Sequence, residues 1–322
     1  MNTKRILAVT TGLVLATSAV AALVAFGGRG DELATLRPDG NGVVRVVAVS
    51  PNGRWIASAG DSRTVTVWDA ASRTVRHTLR GHDRTILAIA FAPNSALLAT
   101  GGDDRTVVLW DIETGMELAT LSDSRKAVEC LAFSPDGKSL AAGAADKVIH
   151  VWSVADRKYV RGIKGHTKHV HAIAFSPDGK LLASGGAEAT LRLWDWKTGF
   201  QVGTLANPGG HTSAIAFHPN GKTIAAVGPS LRLWDVALKN ERAAPAGPSG
   251  LAMGIAISVD GKRMATTHED GLVRVWDSEA GTLLATLRGH TNAVMDCSFH
   301  PYGTTFVTAG SDGTVKVWPV ER

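Results

Sequence analysis

Residues 81–111 read GHDRTILAIAFAPNSALLATGGDDRTVVLWD, and the alternation of apolar runs with turn residues in this stretch decides the fold class. Ala88–Phe91, Leu97–Thr100 and Thr106–Trp110 are short, β-branched or apolar runs of four or five residues, the length and pattern of partly buried strands. Nothing in the stretch has the spacing of an amphipathic helix. The unit recurs. Of the nine tryptophans, Trp110 is one of seven in a periodic series, at 68, 110, 152, 194, 234, 276 and 318, separated by 42 residues except for a single interval of 40. A second series, Pro51, Pro93, Pro135, Pro177, Pro219, Val259 and Pro301, has the same period, with its interval of 40 one step later. The two missing residues therefore fall between Pro219 and Trp234, in a turn where Gly228-Pro229-Ser230 replaces a longer segment. Ser134-Pro135-Asp136-Gly137 and Ser176-Pro177-Asp178-Gly179 place Pro second and Gly fourth, as type I turns favour, so they join strands as hairpins.

These residues resemble the WD-repeat β-propeller family, whose units carry a Gly-His pair, a hairpin Asp and a Trp-Asp ending. Trp68-Asp69, Trp110-Asp111, Trp194-Asp195, Trp234-Asp235 and Trp276-Asp277 match that ending, while Trp152-Ser153 and Trp318-Pro319 depart from it. The resemblance covers residues 31–322, about 42 per unit, and implies an all-β, seven-bladed propeller of four-stranded antiparallel blades with no room for another domain. Glu32–Arg37 repeats the outer-strand pattern of Leu284–Arg288, and the last unit lacks such a strand. By resemblance, the N-terminal strand completes the blade that ends at Trp318 and closes the ring.

In this family a loop His, a strand hydroxyl, the hairpin Asp and the Trp form a hydrogen-bonded set within a blade. Three units match: His82, Thr100, Asp104 and Trp110; His166, Ser184, Glu188 and Trp194, with Glu for Asp; and His290, Thr308, Asp312 and Trp318. Although a His, a hydroxyl and an acid could imitate a catalytic triad, recurrence by period and a mid-strand hydroxyl make these structural. The other four units lack the full set, with Gly40 and Ser62 in the first, Ser124 in the third, Pro208 in the fifth and Pro248 in the sixth, and are expected to be softer. Gly137-Lys138-Ser139 and Gly221-Lys222-Thr223 look like the end of a phosphate-binding loop but lack its earlier Gly and lie in hairpins. No catalytic residue or cofactor is implied, and the chain is expected not to be an enzyme.

Residues flanking the first inner strand, and the one before the hairpin Asp, face the wider opening in propellers of this family, where partners dock. In this sequence the resemblance points to Val43, Arg45 and Asp61; Leu87 and Asp103; Glu129; His169 and His171; His211; Leu251, Met253 and Glu269; and Met295. The apolar members fall on consecutive units around the closure, with acids and histidines opposite, so a protein or peptide with one apolar and one basic portion is the expected partner. His169, His171, His211 and Glu129 also form the one cluster that could hold a small ligand or zinc, the alternative reading of the same mouth.

The net charge of +5 invites a nucleic-acid reading, yet the first 30 residues hold three basic and no acidic side chains, leaving 31 basic against 29 acidic in the repeats. Only Arg45 among the mouth residues is basic, so nucleic acid is excluded as the expected partner. Cys130 and Cys297 are too few for a disulfide framework and belong to units that do not touch. Ile6–Phe26 is an uncharged run of 21 residues, long enough to span a bilayer and preceded by Lys4 and Arg5. A signal peptide cleaved after Ala19-Val20-Ala21 is the alternative, but Leu23, Val24 and Phe26 continue the run and favour an anchor. Either reading makes residues 1–30 an export segment, with the propeller on the extracytoplasmic side of the membrane or free beyond it, as a closed monomeric ring.

Overall fold

The computed structural model describes residues 32–40, 42–242 and 250–320. Among them are 28 β-strands, β1–β28 in chain order, and no helix; they form seven four-stranded antiparallel sheets. The first blade shows the plan: β2 (Val44–Val49), β3 (Trp55–Gly60), β4 (Thr64–Asp69) and β5 (Val75–Arg80) pair in chain order from the inside of the ring outward. The expected turns connect the strands. In Ser134–Gly137 the Gly137 N–H donates to the Ser134 carbonyl at 2.8 Å, with Gly137 at φ +69°. Burial follows position in the blade, since β3 is buried at every residue whereas β5, the outer strand, buries only Leu79.

No blade covers its own faces, so the core lies between blades. Val65, Val67 and Leu79 of the first blade pack with Ile86, Leu98 and Trp110 of the second. Trp318 of the last blade packs likewise against Val273 and Val275 of the sixth, and Trp68 of the first against Val307 and Val317 of the last. Each of the seven periodic tryptophans is at most 2% exposed, which explains why the repeat is legible in Trp: a large flat ring fills each inter-blade wedge.

The ring closes as the repeated Leu-Arg pattern implies. β1 (Ala34–Leu36) is the outer strand of the last blade, after β26 (Val294–Phe299), β27 (Thr305–Gly310) and β28 (Val315–Pro319), with Thr35 opposite Lys316. The Leu33 N–H donates to the Val317 carbonyl at 2.7 Å, and Lys316 forms an ion pair with Glu32. The shortened turn also lies where the two repeat series put it, because Ala226 pairs with Arg232 across Gly228-Pro229-Ser230. Cys130 and Cys297 are free, in the third and seventh blades. No helix long and apolar enough to cross a membrane occurs among the described residues; Ile6–Phe26, the expected anchor, lies outside them.

Candidate functional site

Six innermost strands slip by one residue in their pairing with the next strand, between Val44 and Val46, Ile86 and Ala88, Val128 and Cys130, Val170 and Ala172, Ala252 and Gly254, and Val294 and Asp296. The residue left out of register is Arg45, Leu87, Glu129, His171, Met253 or Met295, and a bulge of this kind re-aims its side chain. Backbones approach closely here. A Cβ on Gly186 would stand 1.9 Å from the His169 carbonyl oxygen, so in the fourth blade the facing strand needs glycine there, whereas Ala144 and His268 fill the same place in the third and sixth. The fifth blade has no slip, but Ser213 occupies the same place just before β18 (Ala214–Phe217). All seven side chains line one central cavity of about 480 Å³, with His211 beside them.

The other expected mouth residues sit at the same end of the blades without lining the cavity. Asp61, Asp103 and Glu269 donate their N–H groups to the carbonyls of Val43, Thr85 and Leu251 at 2.9–3.1 Å, which ties the two ends of each rim segment together. Leu251 is exposed at this rim. Around the cavity, Met253, Met295 and Leu87 form an apolar arc interrupted by Arg45, whose Nε donates to Asp61 at 2.6 Å. The opposite arc is polar: His169 Nδ1 is 3.3 Å from Glu129 Oε1, and His171 Nδ1 forms an ion pair with Glu129 Oε2. The rings of His171 and His211 are 5.1 Å apart. Burial, then the neighbouring His171, hold His211 below the ordinary imidazole range, so it is a neutral donor or acceptor at neutral pH.

Asp296 is a cavity residue that the sequence reading missed. It follows the bulge residue of the last blade, where the other blades have Val46, Ala88, Cys130, Ala172, Ala214 and Gly254; this break in the repeat is the signal that could have found it. Its Oδ2 accepts from the Val47 N–H at 3.0 Å, across the closure, and its Oδ1 from the Cys297 N–H at 2.8 Å. Desolvation outweighs these two bonds and pushes the carboxyl up to about 7.

The structural sets form in the three blades that carry them. His82 contacts Asp104 at 2.7 Å through Nδ1 and Thr100 at 2.7 Å through Nε2, and Trp110 donates to Thr100 at 2.9 Å. His166 contacts Glu188 at 3.2 Å and Ser184 at 2.6 Å, with Trp194 donating to Ser184 at 2.7 Å. His290 contacts Asp312 at 2.9 Å and Thr308 at 2.7 Å, with Trp318 donating to Thr308 at 2.8 Å. Two blades without the set have substitutes that the sequence reading did not find. In the third, Trp152 donates to Asp123 at 2.7 Å and His150 contacts Asp146 at 3.0 Å. In the sixth, Trp276 donates to Thr266 at 2.9 Å and the histidine is His268, two residues along the same strand, 2.8 Å from the Thr266 hydroxyl.

A closed ring of seven four-stranded blades, wedged by periodic tryptophans and tied by His, hydroxyl and acid, defines a WD-repeat β-propeller. The chain belongs to the family described as the echinoderm microtubule-associated protein second β-propeller, which it matches over residues 44–208, about half its length. Residues 246–277 and 281–319 match the WD domain, G-beta repeat. No curated protein matches the chain. WD-repeat propellers are in general protein-interaction scaffolds.

Proposed function

We propose that the protein is a non-enzymatic scaffold that binds a protein or peptide segment over the bulge-lined mouth of the propeller. The observation that carries this reading is the convergence of seven bulge residues on one cavity of about 480 Å³, divided into an apolar and an acidic-imidazole arc. A cavity of this size admits one or two anchoring side chains. Flexible Met253 and Met295 adapt to an apolar anchor, while Glu129 offers a carboxylate to a basic neighbour in the same segment. The matched family takes its name from a microtubule-associated protein, which for this chain lends weight only to recognition of a protein surface.

Selection of displayed peptides on the full chain tests the reading. Enriched sequences should pair an apolar cluster with Lys or Arg, and Met253→Asp with Met295→Asp should abolish capture while the unfolding transition stays in place. Enrichment of unrelated sequences, or capture that survives both substitutions, would place the docking face elsewhere. The second half of the proposal is location: residues 6–26 hold the ring on the extracytoplasmic side of a membrane, as a monomer closed by its own first strand. Digestion of the propeller by external protease in cells with an intact inner membrane but a permeabilised envelope supports that location; protection until lysis refutes it.

A further inference from the structure

The polar arc of the mouth contains more than a docking surface requires. Glu129 is an acid with only 15% of its side chain exposed, and among the described residues the groups set against its carboxylate oxygens are two imidazoles, His169 and His171. No hydrogen bond is made to its Oε2, although His171 Nδ1 lies against it. A half-satisfied carboxylate in a cavity wall is costly unless a cation compensates it. The candidate ligand atoms of Glu129, His169 and His171 all lie within 4.8 Å of one another. A tetrahedral zinc ion with bonds of about 2.0–2.2 Å holds its ligand atoms roughly 3.4 Å apart, so small rotations of three side chains close the site.

We infer that Glu129, His169 and His171 form a binding site for a borderline divalent transition cation, zinc in the first place, at the mouth of the propeller. Two imidazoles and one carboxylate suit this class and disfavour calcium and magnesium, which demand more oxygen ligands. The fold supplies the placement. Glu129 and His171 are bulge residues of adjacent blades, aimed into the same cavity, and His169 precedes His171 by two residues at the rim. The His211 ring, one blade further, is 5.1 Å from that of His171, so it or a water is available for the fourth position. Protons compete with zinc for imidazole nitrogen, so uptake must weaken on acidification.

The test is calorimetric titration of zinc chloride into the full chain, purified without a histidine tag and stripped with a chelator. One zinc per chain should bind, magnesium and calcium should not, and cobalt should give the intense visible bands of a four-coordinate site. Glu129→Gln and His171→Ala should each weaken zinc by at least about tenfold, while His218→Ala, outside the cluster, should leave it unchanged. If either substitution unfolds the ring, His169→Ala carries the same prediction from a half-exposed position. Absence of zinc uptake by the folded chain, or uptake that survives removal of Glu129 and His169, overturns the site. Metal alone is the ligand here, so failure of peptide selection and failure of zinc binding are read independently.

Discussion

Thr308 and Ser58 occupy the same position in the last and first blades, and their surroundings differ in a way that fixes what each hydroxyl is worth. The Thr308 oxygen accepts from Trp318 and its proton reaches His290, all three buried. Ser58 is equally buried, but its oxygen has no partner, because the first blade has Gly40 where the last has His290. Gly40 has φ +96°, a conformation that a histidine would enter only with strain. Thr308→Val should therefore strand an indole N–H and an imidazole nitrogen and cost about 2–4 kcal/mol, whereas Ser58→Ala should stay within about 0.5 kcal/mol. Urea denaturation of the two variants checks this; equal losses would mean that the buried set contributes no more than its packing.

The three residues of β1 decide whether the ring is closed. Leu36 is buried at 6% in the cluster that joins the last and first blades, with Val44, Trp68 and Val317 around it. Leu36→Ala should cost about 2 kcal/mol or more, while Leu284→Ala, on the outer strand of the sixth blade and 40% exposed, should be nearly neutral. Equal melting temperatures for the two variants would show that the closing strand is dispensable. β1 was legible in the sequence only as a copy of Leu284–Arg288, since three residues carry no periodicity of their own. The blades themselves were legible because strand alternation, turn residues and Trp repeat together seven times. The mouth was legible in part, since the bulge residues share a repeat position. What escaped depends on pairings that no local pattern encodes: Asp296 bonds across the closure to Val47, and Trp152 and Thr266 find partners at positions different from those of the matching blades.

Over the whole molecule, each blade is held by two neighbours, so a change in protonation inside one inter-blade wedge acts on the stability of the closed ring. Burial is the largest influence on His166, His211, His268 and His290 and lowers all four below the ordinary value of 6.5; His268, also facing Arg274, falls to about 4. The unfolded chain takes up these protons first as the pH drops. The stability that these histidines bring is therefore fully present above about 6.5 and declines as the pH falls towards 4, by as much as roughly 3 kcal/mol for His268 alone, while Asp296, pushed up to about 7, acts in the opposite sense because the folded ring takes up its proton before the unfolded chain does. A second decline follows in more acid solution, because Glu188, where burial is outweighed by the Thr167 hydroxyl, the Thr167 and Lys168 N–H groups and His166, lies at about 2 against an ordinary 4.5, and the stabilisation it brings is lost between those values. In an Asp296→Asn background, which removes the opposing carboxyl, urea denaturation in chelator from pH 8 to 4 should give a plateau and then a fall beginning near 6.5. His268→Gln should lower the plateau, since the contact with Thr266 is altered, yet flatten the fall between 6.5 and 4. A variant with an unchanged slope would show that His268 takes up its proton in the folded ring as readily as in the unfolded chain, and that the acid sensitivity of the propeller resides in the other wedges.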